Sequence, residues 1–237
     1  MGIQTKSIEY KDGDTTCVGV LAWNDEGGKK PCVLVSPDWR GRTEFSENKA
    51  ITLAKLGYVG FAIDVYGEGK TGSNADENRA LMNPFVEDRE KLRTRLLATI
   101  EATKTFEEVD ESQIAIIGFC FGGLCALDAA RSGADLKAAI SFHGLFDGNG
   151  LPENKIKASV LALHGYDDPM ATPDSIIALG DELKRAECDW QIHAYGGTMH
   201  SFMNPDANAP ENGTQYNSVA DKRAWAAATQ LLSDVFA

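Results

Sequence analysis

No stretch of this sequence approaches the roughly 20 consecutive apolar residues that a membrane-spanning helix needs. The N-terminal MGIQTKSIEY carries no apolar run, so no signal peptide is expected. Gly2 is followed by Lys6, where a myristoylation signal has Ser or Thr. Basic residues are few: 23 Lys and Arg stand against 35 Asp and Glu, a net charge of −12. That balance repels a phosphate backbone and an anionic membrane, so neither is an expected partner. Cysteines number five (Cys17, Cys32, Cys120, Cys125 and Cys188), with no C-x-x-C pair and no zinc spacing. The odd count without such spacing reads as reduced thiols of a cytoplasm. There is no H-E-x-x-H or other metal pattern, no internal repeat and no low-complexity linker. Asn212-Gly213-Thr214 is a formal glycosylation sequon, which carries no weight without secretion.

What is present is a chain of 237 residues, 43% hydrophobic, long enough for one sizeable α/β core or two small ones. Apolar, β-branched runs bounded by turn residues predict strands. TTCVGVLAW (15–23) alternates like an exposed antiparallel strand. PCVLVSP (31–37), YVGFAIDV (58–65), SQIAIIGF (112–119), LKAAISFHG (136–144) and ASVLALHG (158–165) are continuous, as buried parallel strands require. WQIHAYG (190–196) is the last. Helices are predicted over 45–57, over 84–106 with Pro84 near the start, after Cys120, over 173–186 and over 216–235. Polar loops are expected near 67–78 and 205–212. This alternation predicts a mostly parallel, doubly wound sheet with helices on both faces, in a single domain spanning 1–237.

The most informative stretch is IIGFCFGGLC, Ile116 to Cys125. It reads as a strand entering Gly-x-Cys-x-Gly and then a helix of small residues, the cysteine form of a nucleophile elbow. Small neighbours let the backbone turn sharply, and the central side chain then projects at the carboxyl end of the sheet. A helix N-terminus favours a thiolate, and the N–H of Phe121 is placed to donate to an oxyanion. The alternative is a structural cysteine in a glycine-rich strand end. Cys125, inside the helix, reads as packing.

Later residues weigh on that choice. LALHGYDDPM places Asp167 and Asp168 beyond a strand, and AYGGTMHSF places His200 beyond the last one. Nucleophile, acid, histidine is the chain order of an α/β-hydrolase triad. His200 would take the thiol proton or pair with the thiolate, and the acid would orient the imidazole. Asp168, before Pro169, is the preferred acid, with Asp167 the fallback. His143 and His164, at strand ends, read as structural, and His193 as facing a polar surface.

Together the segments 33–41, 61–67, 113–123, 162–168 and 195–205 resemble the dienelactone hydrolase family, over about 18–235 of the chain. The resemblance implies an α/β-hydrolase fold with no large cap and a cofactor-free Cys120–Asp168–His200 triad acting on carboxylic esters or lactones. It implies a second oxyanion donor at the Trp39 N–H. It places the family's acidic residue, commonly glutamate, at Asp38, where it would meet the resting thiol; a turn role is the alternative. It implies that Arg89 turns toward the site, a solvated helix charge being the other reading. Family members acting on dienelactone have an arginine four residues beyond the histidine; here that residue is Asn204. Ester or lactone hydrolysis is thus better supported than that particular substrate. Only the segment 145–157 separates two strands where other hydrolases insert a lid, so the site is expected to be open, with Trp39, Phe85, Phe121 and Phe202 as apolar wall or as core.

GEGKTG (67–72) matches a glycine-rich nucleotide loop, but Asp64 stands where a P-loop needs glycine, and SNADENRA rather than an apolar helix follows. Glutamine amidotransfer, which also uses a cysteine elbow, needs an acid two places after the histidine, where Phe202 stands. Two further readings stay open: a side activity on activated phosphotriesters, and a non-catalytic ligand-binding or thiol-sensing protein. The expected partner is a small ester or lactone, with no metal or other cofactor, and the chain is expected to be a monomer or homodimer.

Overall fold

The computed structural model describes residues 2–152 and 154–237. Eight strands hydrogen-bond in the order β1-β2-β4-β3-β5-β6-β7-β8: β1 (Ile3–Asp12), β2 (Thr15–Asn24), β3 (Lys30–Ser36), β4 (Val59–Ala62), β5 (Val109–Phe119), β6 (Ala138–Phe142), β7 (Ser159–Gly165) and β8 (Trp190–Tyr195). The sheet is mostly parallel and carries helices on both faces. The chain falls into two compact units, 1–117 and 118–237, and the boundary lies inside β5.

In the first unit β3 pairs with β4 in parallel. Cys32 to Ser36 are fully buried, which explains the unbroken apolar run. β2 pairs antiparallel with both β1 and β4. Its alternation is real, yet Cys17, Leu21 and Ala22 are buried where the sequence predicted an exposed strand, because α1 packs against it and β1 takes the sheet edge. β1 itself escaped the sequence reading. It is a mostly exposed edge strand whose one buried residue is Tyr10, so it has no apolar run to betray it.

The helix predicted over 84–106 is two helices, α2 (Ala75–Val86) and α3 (Arg89–Thr103), after α1 (Glu44–Lys55). Pro84 sits near the end of α2 rather than at a helix start. The break falls at Glu87–Asp88, where the Asp88 carboxylate accepts from the Lys91 N–H at 3.0 Å and caps α3. α2 begins inside the segment expected to be loop; Asn74 caps it, accepting from the Asp76 and Glu77 N–H groups. It is a polar helix that buries only Asn78 and Phe85.

The GEGKTG loop has its own explanation. The buried Asp64 carboxylate accepts from the N–H groups of Val18 (2.9 Å), Gly67 (2.8 Å) and Gly69 (2.7 Å). Backbone amides of this kind form the nest that would cradle a phosphate. Here the protein's own carboxylate occupies it.

In the second unit β6, β7 and β8 pair in parallel. Every residue of α4 (Phe121–Arg131) is buried, including Asp128 and Arg131. Arg131 donates to Asp128, to both carboxylate oxygens of Glu182 on α5 (Pro173–Arg185), and to the carbonyls of Phe146 and Asp147. That network fixes the chain just after β6. α6 (Ser218–Val235), capped by the Asn217 side chain, closes the unit. No helix among the described residues is long and apolar enough to cross a membrane.

Candidate active site

Cys120 joins β5 to α4 with φ +57° and ψ −117°, a conformation that a side chain rarely takes. Tight packing holds it there. A Cβ on Gly118 would lie 1.9 Å from the Gly122 carbonyl oxygen, and one on Gly123 would lie 2.6 Å from Ser141 Oγ. The Cys120 N–H donates to the Phe142 carbonyl at 3.1 Å, tying the elbow to β6. The thiol remains half-buried while Cys125 is fully buried in the helix. Phe121 is the first residue of α4, directly after Cys120.

The acid and the histidine come from the ends of β7 and β8. The parallel register pairs His164 with Ala194 and Gly165 with Tyr195. Two backbone bonds extend it past the strands: the Tyr166 N–H donates to the Tyr195 carbonyl, and the Asp167 N–H to the Thr198 carbonyl, both at 2.9 Å. Asp168 is thereby turned inward while Asp167 stays exposed. Asp168 Oδ2 lies 2.7 Å from His200 Nδ1, and both side chains are buried. Asp168 Oδ1 accepts from the Met170 N–H at 2.8 Å.

His200 Nε2 has no partner in normal hydrogen-bond geometry, but Cys120 is near enough to act on the ring. Burial pulls the His200 pKa down. The charge on Cys120, the Asp168 hydrogen bond, the polar approach of the Cys120 thiol and the charge on Asp168 outweigh it, and the pKa is pushed up to about 10.

Behind His200 stands His143, whose backbone φ of +38° is also in the left-handed region. Its ring meets that of His200 edge-on at 5.2 Å and that of Phe202 at 5.3 Å. His164 is fully buried against Phe146. Burial lowers its pKa, with Asp168 opposing and His200 adding to the effect. His164 thus lies near enough to the Asp168–His200 pair to feel both charges, and burial disfavours its own charged form. His193 lies 3.3 Å from the Gln191 side chain on β8, a polar surface contact.

The remaining residues named from the sequence have these places. Phe121 and Phe202 are fully buried, and Phe202 packs on His143 and Tyr195. Phe85, nearly buried in the first unit, tilts against Tyr66, with Lys91 Nζ 4.7 Å from its ring centre. Trp39 is half-buried, and its carbonyl accepts from the Tyr66 hydroxyl. Arg89 opens α3 and is buried. Asp38 is buried, and Arg40 holds it through its backbone N–H (2.8 Å) and its guanidinium (2.6 Å at the closest). Arg40 was missed in the sequence, although an arginine two places after a loop aspartate is a legible turn pattern.

The match to the dienelactone hydrolase family model runs over residues 18–236. The chain belongs to the dienelactone hydrolase family. Its fold is accordingly that of the α/β-hydrolases. The crystal structure of a dienelactone hydrolase-like promiscuous phosphotriesterase from metagenomic libraries is 34% identical, with a TM-score of 0.93 over 100% of both chains. A dienelactone hydrolase from Anabaena variabilis shares the fold at 19% identity, with a TM-score of 0.70 over 97% of each chain. A candidate carboxymethylenebutenolidase of Aquifex aeolicus is 28% identical over 202 residues, which is 83% of this chain and 86% of that one. The family is one of hydrolases.

Proposed function

We propose that this dienelactone hydrolase-like protein is a cofactor-free hydrolase of carboxylic esters or lactones, working through a thioester on Cys120. The carrying observation is the buried Asp168–His200 pair, 2.7 Å apart, with an imidazole whose pKa is pushed up by Cys120 and Asp168. An imidazolium beside a thiolate is a nucleophile already activated. The sulfur attacks the carbonyl carbon, and the carbonyl π electrons move onto oxygen. The Phe121 N–H, and by family resemblance the Trp39 N–H, stabilise that oxyanion. As the intermediate collapses, the C–O bond to the alkoxide breaks and His200 supplies its proton. Water then adds to the thioester with His200 as base, and the thiolate leaves. Asp168 keeps Nδ1 protonated and stabilises the charged ring throughout. Esters and lactones suit a thiolate because their alkoxides leave more readily than amines. By the same resemblance Asp38 and Arg89 serve substrate binding or thiol activation, and residues 1–237 act as one hydrolase domain.

A second reading rests on the 34% identical structure whose name records promiscuous phosphotriester cleavage. Attack of Cys120 on an activated neutral phosphotriester also places negative charge on an oxygen, so the same donors would serve. A non-catalytic thiol sensor is the alternative if no ester turns over.

Intact-mass spectrometry after mixing with a short-chain nitrophenyl ester tests the reading. The expected product is an acyl adduct on Cys120 that decays with turnover. An adduct on another residue, or turnover undiminished in Cys120→Ala, would remove Cys120 from the reaction.

A further inference from the structure

Asp168 and His200 sit on separate turns, and a third segment touches both. Beyond His200 the chain returns as the short antiparallel strands β9 (Asn208–Ala209) and β10 (Thr214–Gln215). On that return the Gly213 carbonyl accepts the His200 N–H at 2.9 Å, and the Gln215 N–H donates to the His200 carbonyl at 3.0 Å. Gly213 also lies against Pro169, the residue that follows Asp168. A Cβ on Gly213 would stand 2.2 Å from Pro169 Cγ and 2.6 Å from Cδ.

A proline ring cannot rotate away from such a contact, so a side chain here must push the Asp168–Pro169 backbone. That backbone has little slack. The Asp168 N–H is bonded to the Gly165 carbonyl at 3.1 Å, and Oδ1 is bonded to Met170. The displacement is therefore passed to Oδ2, the atom that meets His200. At φ +72° the position also favours glycine by conformation, which separates into a strain effect and a contact effect.

We infer that Gly213 is a positioning residue: its bare Cα lets one turn hold the His200 backbone and seat on Pro169, and so sets the Asp168–His200 distance. The effect on turnover rests on the thiol-hydrolase reading above; the effect on the thiol does not.

The test is a double-mutant cycle of Gly213→Ala and Pro169→Ala. It is made in a Cys188→Ser background, because Cys188 is the other thiol that is not fully buried. In the double variant both close contacts are gone, and the Cβ at position 169 lies 3.6 Å from the new methyl, an ordinary contact. Two readouts are taken: nitrophenyl ester turnover, and the pH profile of Cys120 alkylation by iodoacetamide, which needs no substrate. Gly213→Ala is expected to lower kcat on the order of a hundredfold with little change in KM. It is also expected to move the alkylation profile to higher pH, since a poorly held imidazolium stabilises the thiolate less. The double variant should recover to within about tenfold of Pro169→Ala alone. A double variant no better than Gly213→Ala, or an unchanged alkylation profile in Gly213→Ala, would overturn the inference. If Gly213→Ala does not fold, the double variant decides: folded with the parental profile it upholds the contact, and unfolded it refutes it. Absence of ester turnover in the parent would count against the hydrolase reading and leave alkylation to judge Gly213.

Discussion

Asp168 Oδ2 meets His200 Nδ1 at 2.7 Å across a sequence separation of 32 residues. The parallel register of β7 and β8 makes that contact, and the two backbone bonds beyond the strand ends tighten it. Asp167, one residue away, faces outward. A single-residue slip in the turn would exchange the two.

Asp168→Asn should therefore cost turnover on the order of a thousandfold, because an amide no longer fixes the Nδ1–H tautomer or stabilises the imidazolium. Asp167→Asn should stay within about threefold of the parent, as surface changes away from a site generally do. Steady-state kinetics of the two variants side by side check this, and equal losses would place the acid wrongly.

The His200 pKa, raised to about 10, sets a pH window. A base whose pKa is higher folded than unfolded stabilises the fold fully below its unfolded value, near 6.5, and that contribution is lost as pH rises through about 10. Thermal unfolding from pH 6 to 10 should show this decline in the parent. Cys120→Ala removes the charge that acts most strongly in raising the pKa, so its decline should begin at lower pH. NMR titration of the His200 ring should show the same ordering, and identical titrations would dissolve the proposed ion pair.

Arg131 should matter for stability rather than chemistry. Arg131→Met removes a guanidinium from the fully buried Asp128 carboxylate and frees the Phe146 and Asp147 carbonyls. The expected loss is about 3 kcal/mol, read as a lower denaturant midpoint, with kcat at permissive temperature within a fewfold of the parent.

Asp64→Ala should cost about 3 kcal/mol as well, since three backbone N–H groups lose a charged acceptor. The opened nest should still give no heat with ATP in calorimetry, because no lysine-bearing apolar helix follows it. ATP binding in the parent protein would contradict the assignment of those amides to Asp64.

Much of this architecture was legible in the residues. Strands β3 to β7 announce themselves because burial on both faces demands continuous apolar runs; β8 is read from its β-branched and aromatic residues although it buries none of them. The elbow is legible because close packing admits only small residues around Cys120. The Asp168–His200 contact is legible because polar residues just beyond strand ends stand out from the strands before them. Elements that bury little were not legible: β1 buries only Tyr10, and α2 only Asn78 and Phe85. Pro84 misled because a proline is tolerated near a helix end as well as at its start. The partners of Asp64, Arg131 and Pro169 were hidden for another reason. They depend on contacts as distant as 51 residues, as between Arg131 and Glu182, which no local pattern encodes.

The most direct test of the account is stopped-flow hydrolysis of a short-chain nitrophenyl ester by the parent protein and Cys120→Ala. The account predicts a burst of nitrophenol, stoichiometric with protein, followed by steady turnover, with both lost in the variant. Turnover of equal rate in Cys120→Ala, with the fold intact, would contradict it.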